Sequence, residues 1–229
     1  MKKALSLLLC LLLILSFSAC SQSEVESDAV LPGEYAAIID RIVDAFPWDE
    51  DAMMEFEDGE ISYLYRQNTA LSEIGFALAD LDGNGQEELI ISAVDSPIVY
   101  DLYTISNGKA THIFSSHDRV TYYIYENGYV ENQWLDSAVT SGHDFYQFKD
   151  GALDLIERIT YDAYHAVDVG IIADVSDANE DNCYFVSTTD QVADYQAISA
   201  QEADEKREAR QSANKKWSFE YTLLSEYKA

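Results

Sequence analysis

The chain has 229 residues, 48% of them hydrophobic, with 42 acidic against 14 basic side chains and a formal charge of −28. So strong an anionic field excludes a nucleic-acid partner, whose phosphates need a basic surface, and favours divalent cations, which relieve self-repulsion. About 200 residues beyond the leader suffice for one domain with a single substantial core.

The leader comes first. Lys2 and Lys3 form a positive n-region, residues 4–17 are apolar, and Phe17-Ser18-Ala19-Cys20 closes the run with small residues before a cysteine. That is an export signal rather than a folded element, and it is too short for a comfortable transmembrane helix. It resembles the lipobox of bacterial lipoproteins, with Phe17 where Leu is usual. The resemblance implies that residues 1–19 are removed and that Cys20 carries lipid (a palmitate-type acyl anchor), holding the protein on the extracytoplasmic face of the cell membrane. An ordinary secreted signal cleaved elsewhere is the alternative. Loss of Lys2 and Lys3 with the leader moves the formal charge from −28 to −30. Residues 20–33 then read as a polar, flexible tether, and residues 34–229 as the single folded domain. Cys10 leaves with the leader and Cys20 is the lipid acceptor, so Cys183 has no disulfide partner. It precedes Tyr-Phe-Val and reads as a small buried hydrophobe; its neighbours Glu180, Asp181 and Asn182 oppose a reactive thiolate.

Residues 34–46 predict a helix, since Tyr35, Ile38, Ile39, Ile42, Val43 and Phe46 recur at the three-and-four spacing of one face and Pro47 stops it. Residues 52–72 are ambiguous and allow a short helix after Asp58-Gly59. Two apolar runs follow, 74–78 and 89–93, and between them lies the most informative stretch of the chain.

That stretch is Asp80-Leu-Asp82-Gly-Asn84-Gly85-Gln86-Glu87-Glu88. Oxygen-bearing side chains stand at its first, third, fifth and ninth positions and a backbone carbonyl at the seventh, the pattern by which a short loop wraps a hard cation. Gly85 sits sixth, where the chain turns sharply. An EF-hand needs a bidentate Glu at the twelfth position and helices on both sides. Here the twelfth residue is Ile91, in a β-branched run. The loop therefore joins two strands, and Glu88 must supply the last carboxylate. The sequence predicts a calcium site of Asp80, Asp82, Asn84, Gln86 (through its carbonyl) and Glu88. The competing reading is an acidic turn whose Gly and Asn serve only the hairpin.

A hairpin rhythm takes over downstream. Runs 100–105 and 110–115 flank Asn107-Gly108, runs 120–125 and 129–134 flank Asn127-Gly128, and runs 144–148 and 152–159 flank Asp150-Gly151. Such dipeptides supply the positive φ that tight hairpins demand, so the pattern predicts an antiparallel meander. Val120, Tyr122 and Ile124 fall on one face of their strand and Thr121, Tyr123 and Tyr125 on the other, which reads as a central strand covered by a helix on at least one side. The functional alternative is an exposed platform of Tyr123, Tyr125 and Trp134 for a sugar or peptide. Residues 174–181 form a second acidic loop that lacks the glycine and the alternation. Residues 183–187 predict a strand, 201–216 a helix with one solvated face, and 217–223 a final strand.

Catalytic patterns are poor. Ser106-Asn-Gly-Lys109 and Ser212-Ala-Asn-Lys215 have a serine–lysine spacing, but the first lies on a hairpin turn and the second late in a charged helix. His-Glu-x-x-His, nucleophile-elbow and phosphate-loop motifs are absent from the sequence. His112, His117, His143 and His165 have acids such as Asp118 and Asp144 nearby in sequence, with solvated or capping roles preferred. No catalytic residue or organic cofactor is assigned.

Taken together, the lipobox, Ile74-Gly-Phe-Ala-Leu-Ala-Asp-Leu-Asp-Gly-Asn-Gly-Gln-Glu-Glu-Leu-Ile-Ile, Tyr100-Asp-Leu-Tyr-Thr-Ile-Ser-Asn-Gly-Lys and Phe219-Glu-Tyr-Thr-Leu-Leu-Ser-Glu-Tyr-Lys resemble a group of bacterial surface lipoproteins, from which no activity carries over. The acidic loop also resembles the calcium turn of FG-GAP blades in integrin-like propellers, Asp-x-Asp-x-Asp-Gly-x-x-Asp. That resemblance likewise implies Asp80, Asp82, Asn84 and Glu88 as side-chain ligands and the Gln86 carbonyl. Asn at the fifth position and Glu at the ninth depart from it, and one loop in a chain this short does not make a propeller.

The expected fold is α+β, an antiparallel meander sheet of seven to nine strands with the N-terminal and C-terminal helices packed on it. The expected function is a lipid-anchored, calcium-stabilised binding or interaction module, monomeric, with a protein or glycan ligand. An extracytoplasmic hydrolase acting on glycan or peptide is the alternative. Two convergent carboxylates in an open cleft, or a His beside a Ser, would favour the enzyme.

Overall fold

The computed structural model describes residues 31–56, 60–179 and 181–227, and Pro32–Ala229 gather as one compact unit. The leader, Cys20 and the tether up to residue 30 lie outside the described residues, as do Asp58 and Gly59. Among the described residues no helix is long and apolar enough to cross a membrane.

Helix α1 (Gly33–Asp44) starts after Pro32 and buries Tyr35, Ile39 and Ile42, one face at helical spacing. The ambiguous stretch after it resolves into a single turn, α2 (Glu50–Met53), capped by Asp49, and a 3-10 turn at Tyr63–Gln67 capped by Ser62.

The rest is one sheet. Its strands are β1 (Ile74–Ala79), β2 (Glu88–Ala93), β3 (Val99–Ser106), β4 (Lys109–Ser115), β5 (Val120–Ile124) and β6 (Tyr129–Ser137). Then come β7 (Thr140–Lys149), β8 (Ala152–Asp162), β9 (Tyr184–Ser187), β10 (Gln196–Ile198) and β11 (Thr222–Leu223). Helix α3 (Ala163–Asp168) follows β8, and α4 (Ala200–Ser212) follows β10. The spatial order is β10-β9-β8-β7-β6-β5-β3-β2-β1-β11, with β4 on β3, and every pairing is antiparallel. The α+β meander is as the sequence predicts, with eleven strands instead of seven to nine. Helix α1 lies against β4 and α4 against β8 and β9.

The turn residues account for the register. Asn107 and Gly108 (φ 53° and 72°) and Asp150 and Gly151 (φ 50° and 77°) form two-residue hairpins, and Asn127 and Gly128 (φ 62° and 70°) shape the β5–β6 connection. All six angles are in the left-handed region that such turns require. The β6–β7 hairpin turns instead through Ala138 and Val139, which carry no such signal.

One face of the sheet holds the main core: Leu81, Ile90, Val99, Leu102, Phe114, Ile124, Val130 and Phe148. Cross-strand partners Ile90↔Leu102, Leu102↔Phe114 and Ile124↔Val130 place these on one side. The opposite face of the meander is covered by α4, whose Ala203 packs with Tyr125, Tyr129, Phe145 and Ile159. This corrects the platform reading. Tyr123 and Tyr125 lie on the α4 side under the Lys216 ammonium, 4.0 Å and 5.9 Å from their ring centres, while Trp134 pairs with Val120 on the other face.

The predicted last strand is mostly a strap. Lys216 bridges to Tyr125, and the Trp217 amide donates to the Ile124 carbonyl at 3.0 Å. Trp217 and Phe219 stack and pack on the core. Only Thr222–Leu223 pair with a strand, at Gly75 and Phe76 of β1. Residues 217–221 spend their aromatic side chains on the core rather than their amides on a ladder. Gly75 admits the strap, since a Cβ there would lie 2.6 Å from Tyr221 Cβ. Strap and β11 thus link β5 to β1, which are separated in the sheet by β3 and β2, where β3 meets β5 through the single pair Val99↔Tyr122.

Candidate metal centre

The β1–β2 connection is the acidic loop, closed by the Ala79↔Glu88 pair. Asp80 organises it. Its Oδ1 accepts the amides of Gly83 and Asn84 at 2.8 and 3.0 Å, and its Oδ2 that of Gly85 at 2.8 Å. Gly83 and Gly85 have φ of 75° and 88°, so both glycines are demanded by backbone conformation. Asp82 accepts the Asn84 amide on Oδ1 at 3.2 Å and the Asp150 amide on Oδ2 at 2.7 Å. The second bond ties the loop to the β7–β8 hairpin across 68 residues.

Glu88 opens β2 and is fully buried. Its Oε2 accepts the Leu81 amide and its Oε1 the Thr104 hydroxyl, each at 3.0 Å. Asn84 Oδ1 accepts the Gln86 amide at 2.7 Å, and the Gln86 side-chain amide donates to Thr104 at 2.8 Å. The Tyr35 hydroxyl of α1 donates to the Glu87 carbonyl at 2.9 Å, which fixes the exit of the loop.

Asp80, Asp82 and Glu88 each bring a carboxylate oxygen within 4.8 Å of the others. Two oxygens bound to one calcium at about 2.3–2.6 Å stand no more than roughly 5 Å apart, and the trio meets that pairwise limit. The donor set is wholly oxygen, which suits calcium or magnesium over zinc or copper. Burial raises the Glu88 carboxyl above its ordinary value, and the neighbouring Asp82 charge adds to this; a bound cation would reverse both effects. Without one, each carboxylate pair repels by about 0.9 kcal/mol even at the dielectric of water.

Other candidates resolve differently. In the second acidic loop Asp174 accepts the Ser176 amide and hydroxyl and caps a 3-10 turn. Cys183 is buried, and burial pushes its thiol upward, away from reactivity. One histidine finds an acid other than the one beside it in sequence. His143 Nδ1 lies 2.8 Å from Glu131 Oε1, whereas Asp144 makes a bidentate pair with Arg158 at 2.7 and 2.6 Å. His165 sits edge-on to Phe185 and Tyr195.

Two acids with no exposed surface, Glu131 and Asp101, escaped the sequence reading. Glu131 accepts from Tyr125, Gln133, His143 and Gln211. Burial alone would raise its carboxyl, but these bonds override burial and bring it to about 2. Asp101 accepts the Ser62 amide at 3.0 Å and the Ser115 hydroxyl. Ser115 in turn stands 2.8 Å from His112 Nε2. Burial pushes Asp101 up to about 7. The available signal was an acid inside an aromatic or β-branched run, Tyr100-Asp101-Leu102-Tyr103 and Tyr129-Val130-Glu131, where a solvated side chain has no place.

Compared with family models, curated proteins and solved structures, the chain matches none.

Proposed function

We propose that the protein is a lipid-anchored, extracytoplasmic β module whose acidic β1–β2 loop binds calcium, with Asp80, Asp82 and Glu88 as carboxylate ligands and Asn84 and the Gln86 carbonyl completing the set. Calcium acts as a structural ion. It neutralises three carboxylates in one turn and secures a loop that also contacts the β7–β8 hairpin through Asp82 and Asp150. The observation carrying this reading is the convergence of the three carboxylate oxygens within 4.8 Å at the spacing that calcium loops use. The role that follows is binding or interaction at the cell surface, with the acyl anchor at Cys20 holding the module to the membrane.

Calorimetric titration of calcium into the chelator-treated protein tests the reading. A saturable heat of one ion per chain, lost in Asp80→Ala, is expected. No heat at millimolar calcium, the range in which extracellular modules bind, would refute it.

A further inference from the structure

A groove of about 600 Å³ lies where the β4–β5 connection passes the turn before β1, walled by Ile61, Tyr63, Val120 and Tyr122 and bordered by Ser115 and Arg119. Ser115 is the reactive group on its wall. Its hydroxyl donates to Asp101 Oδ1, and His112 Nε2 lies 2.8 Å from the same oxygen. A nucleophile within hydrogen-bond reach of a base that is itself held by a third group is the arrangement of covalent catalysis. Here the base is oriented by the Ser62 amide at 3.0 Å.

We propose that Ser115 is the nucleophile of an acyl-transfer site, with Asp101 as its general base, acting on carboxylic esters whose short apolar acyl group fits this groove. Asp101 has no exposed surface, so taking a proton turns a buried charge into a neutral acid, and burial drives the transfer in the needed direction. Its carboxyl, raised to about 7 by that burial, is matched to a neutral working pH.

In the first step the Ser115 oxygen bonds to the acyl carbon while its proton passes to Asp101, and the carbonyl π pair moves to oxygen. On collapse the bond to the alcohol breaks, and the departing alkoxide takes the proton from Asp101. Water then attacks the acyl-serine by the same route, giving the acid and restoring Ser115. The nearest amides cannot serve the oxyanion: those of Ser116 and His117 donate to the Tyr100 and Val120 carbonyls. Side-chain donors must do so, and Arg119, with one N–H on the Asp136 carbonyl, borders the groove. Such a site suits esters rather than the less reactive amides.

The test uses the soluble chain from residue 21 onward, a fluorophosphonate probe and p-nitrophenyl butyrate. Native protein should take up one probe at Ser115, located by peptide mass, and heat-denatured protein none. Asp101→Asn should slow labelling and ester hydrolysis about a hundredfold, the scale of a lost general base. Ser115→Ala should abolish both. Ser115→Cys, which keeps the packing, should instead become alkylated faster than the buried Cys183. Labelling elsewhere, equal labelling of native and denatured chains, no labelling of a chain shown to be folded by its melting transition, or an unchanged rate in Asp101→Asn would each overturn the proposal.

Discussion

Asp82→Ala separates the two roles of the acidic loop, and its cost should depend on calcium. The side chain accepts two amides, those of Asn84 and Asp150, and hydrogen bonds to a charged acceptor contribute about 1.5–3 kcal/mol, towards the lower figure at an exposed site. Against that loss stands relieved repulsion. Asp82 lies within 4.8 Å of two other carboxylates, and removing it ends two pairwise terms of about 0.9 kcal/mol each in water. In chelator the two effects nearly offset, so the variant should unfold within about 1 kcal/mol of the wild type. Calcium at a hundredfold excess over its dissociation constant stabilises the wild type by about 2.7 kcal/mol through mass action, a gain the variant should lack. For a domain of this size that is roughly 5–10 °C in Tm. Thermal melts of both proteins, with calcium and with chelator at one ionic strength, give the four numbers required. If the wild type melts identically in both buffers, or Asp82→Ala keeps the calcium-dependent gain, the loop is an acidic hairpin and the reasoning fails.

Gly128→Ala should cost at least about 2 kcal/mol in urea unfolding and weaken calcium binding, since its φ is +70° and a Cβ would sit 2.6 Å from the Leu81 carbonyl, between the ligands. Gly83→Ala, with an equally positive φ but nothing within 4 Å, should cost only the backbone term of about 1 kcal/mol. The buried acids should show opposite pH linkage in chelator. Asp101, raised to about 7, contributes stability that is complete below its unfolded value and is lost as pH rises through 7; the wild type should therefore lose on the order of 4 kcal/mol across that window relative to Asp101→Asn. Glu131, brought to about 2, contributes stability above its unfolded value that is lost as pH falls towards 2, and Glu131→Gln should remove that acid-side slope. Cys20→Ala should abolish incorporation of a palmitate analogue; equal labelling of wild type and variant would remove Cys20 as the acceptor.

What the sequence made legible was whatever is local. Asn107-Gly108 and Asp150-Gly151 announce their hairpins because positive φ is a property of one or two residues, and the acidic loop announces its cluster of carboxylates because they lie within nine positions of one turn. The partners of the buried acids are not local. Glu131 draws on Gln211, 80 residues away, and Asp101 on Ser62, 39 residues away, so Asp118 and Asp144 looked the nearer partners for histidine when neither is used. Residues 217–221 misled for another reason. Trp217 and Phe219 alternate as strand residues do, but their backbone crosses from β5 towards β1 without a ladder.

The single pair joining β3 to β5 also bears on how the molecule comes apart. Across that seam the sheet has one backbone pair, so β1–β4 and β5–β10 are coupled by the shared core of Leu102, Phe114, Ile124 and Val130 and by fastenings at the rim. Two of these lie far apart in the sequence: the strap that carries Lys216 to Thr222, and the acidic loop that holds Asp150. An ion in the loop would then act at a distance from its ligands, by raising the cost of separating the two halves, since the loop meets β5–β10 through the Asp150 amide and through Leu81 in the core. Amide exchange should show this as a merger. In chelator the two halves should exchange with different protection, and in calcium they should converge on a single opening free energy.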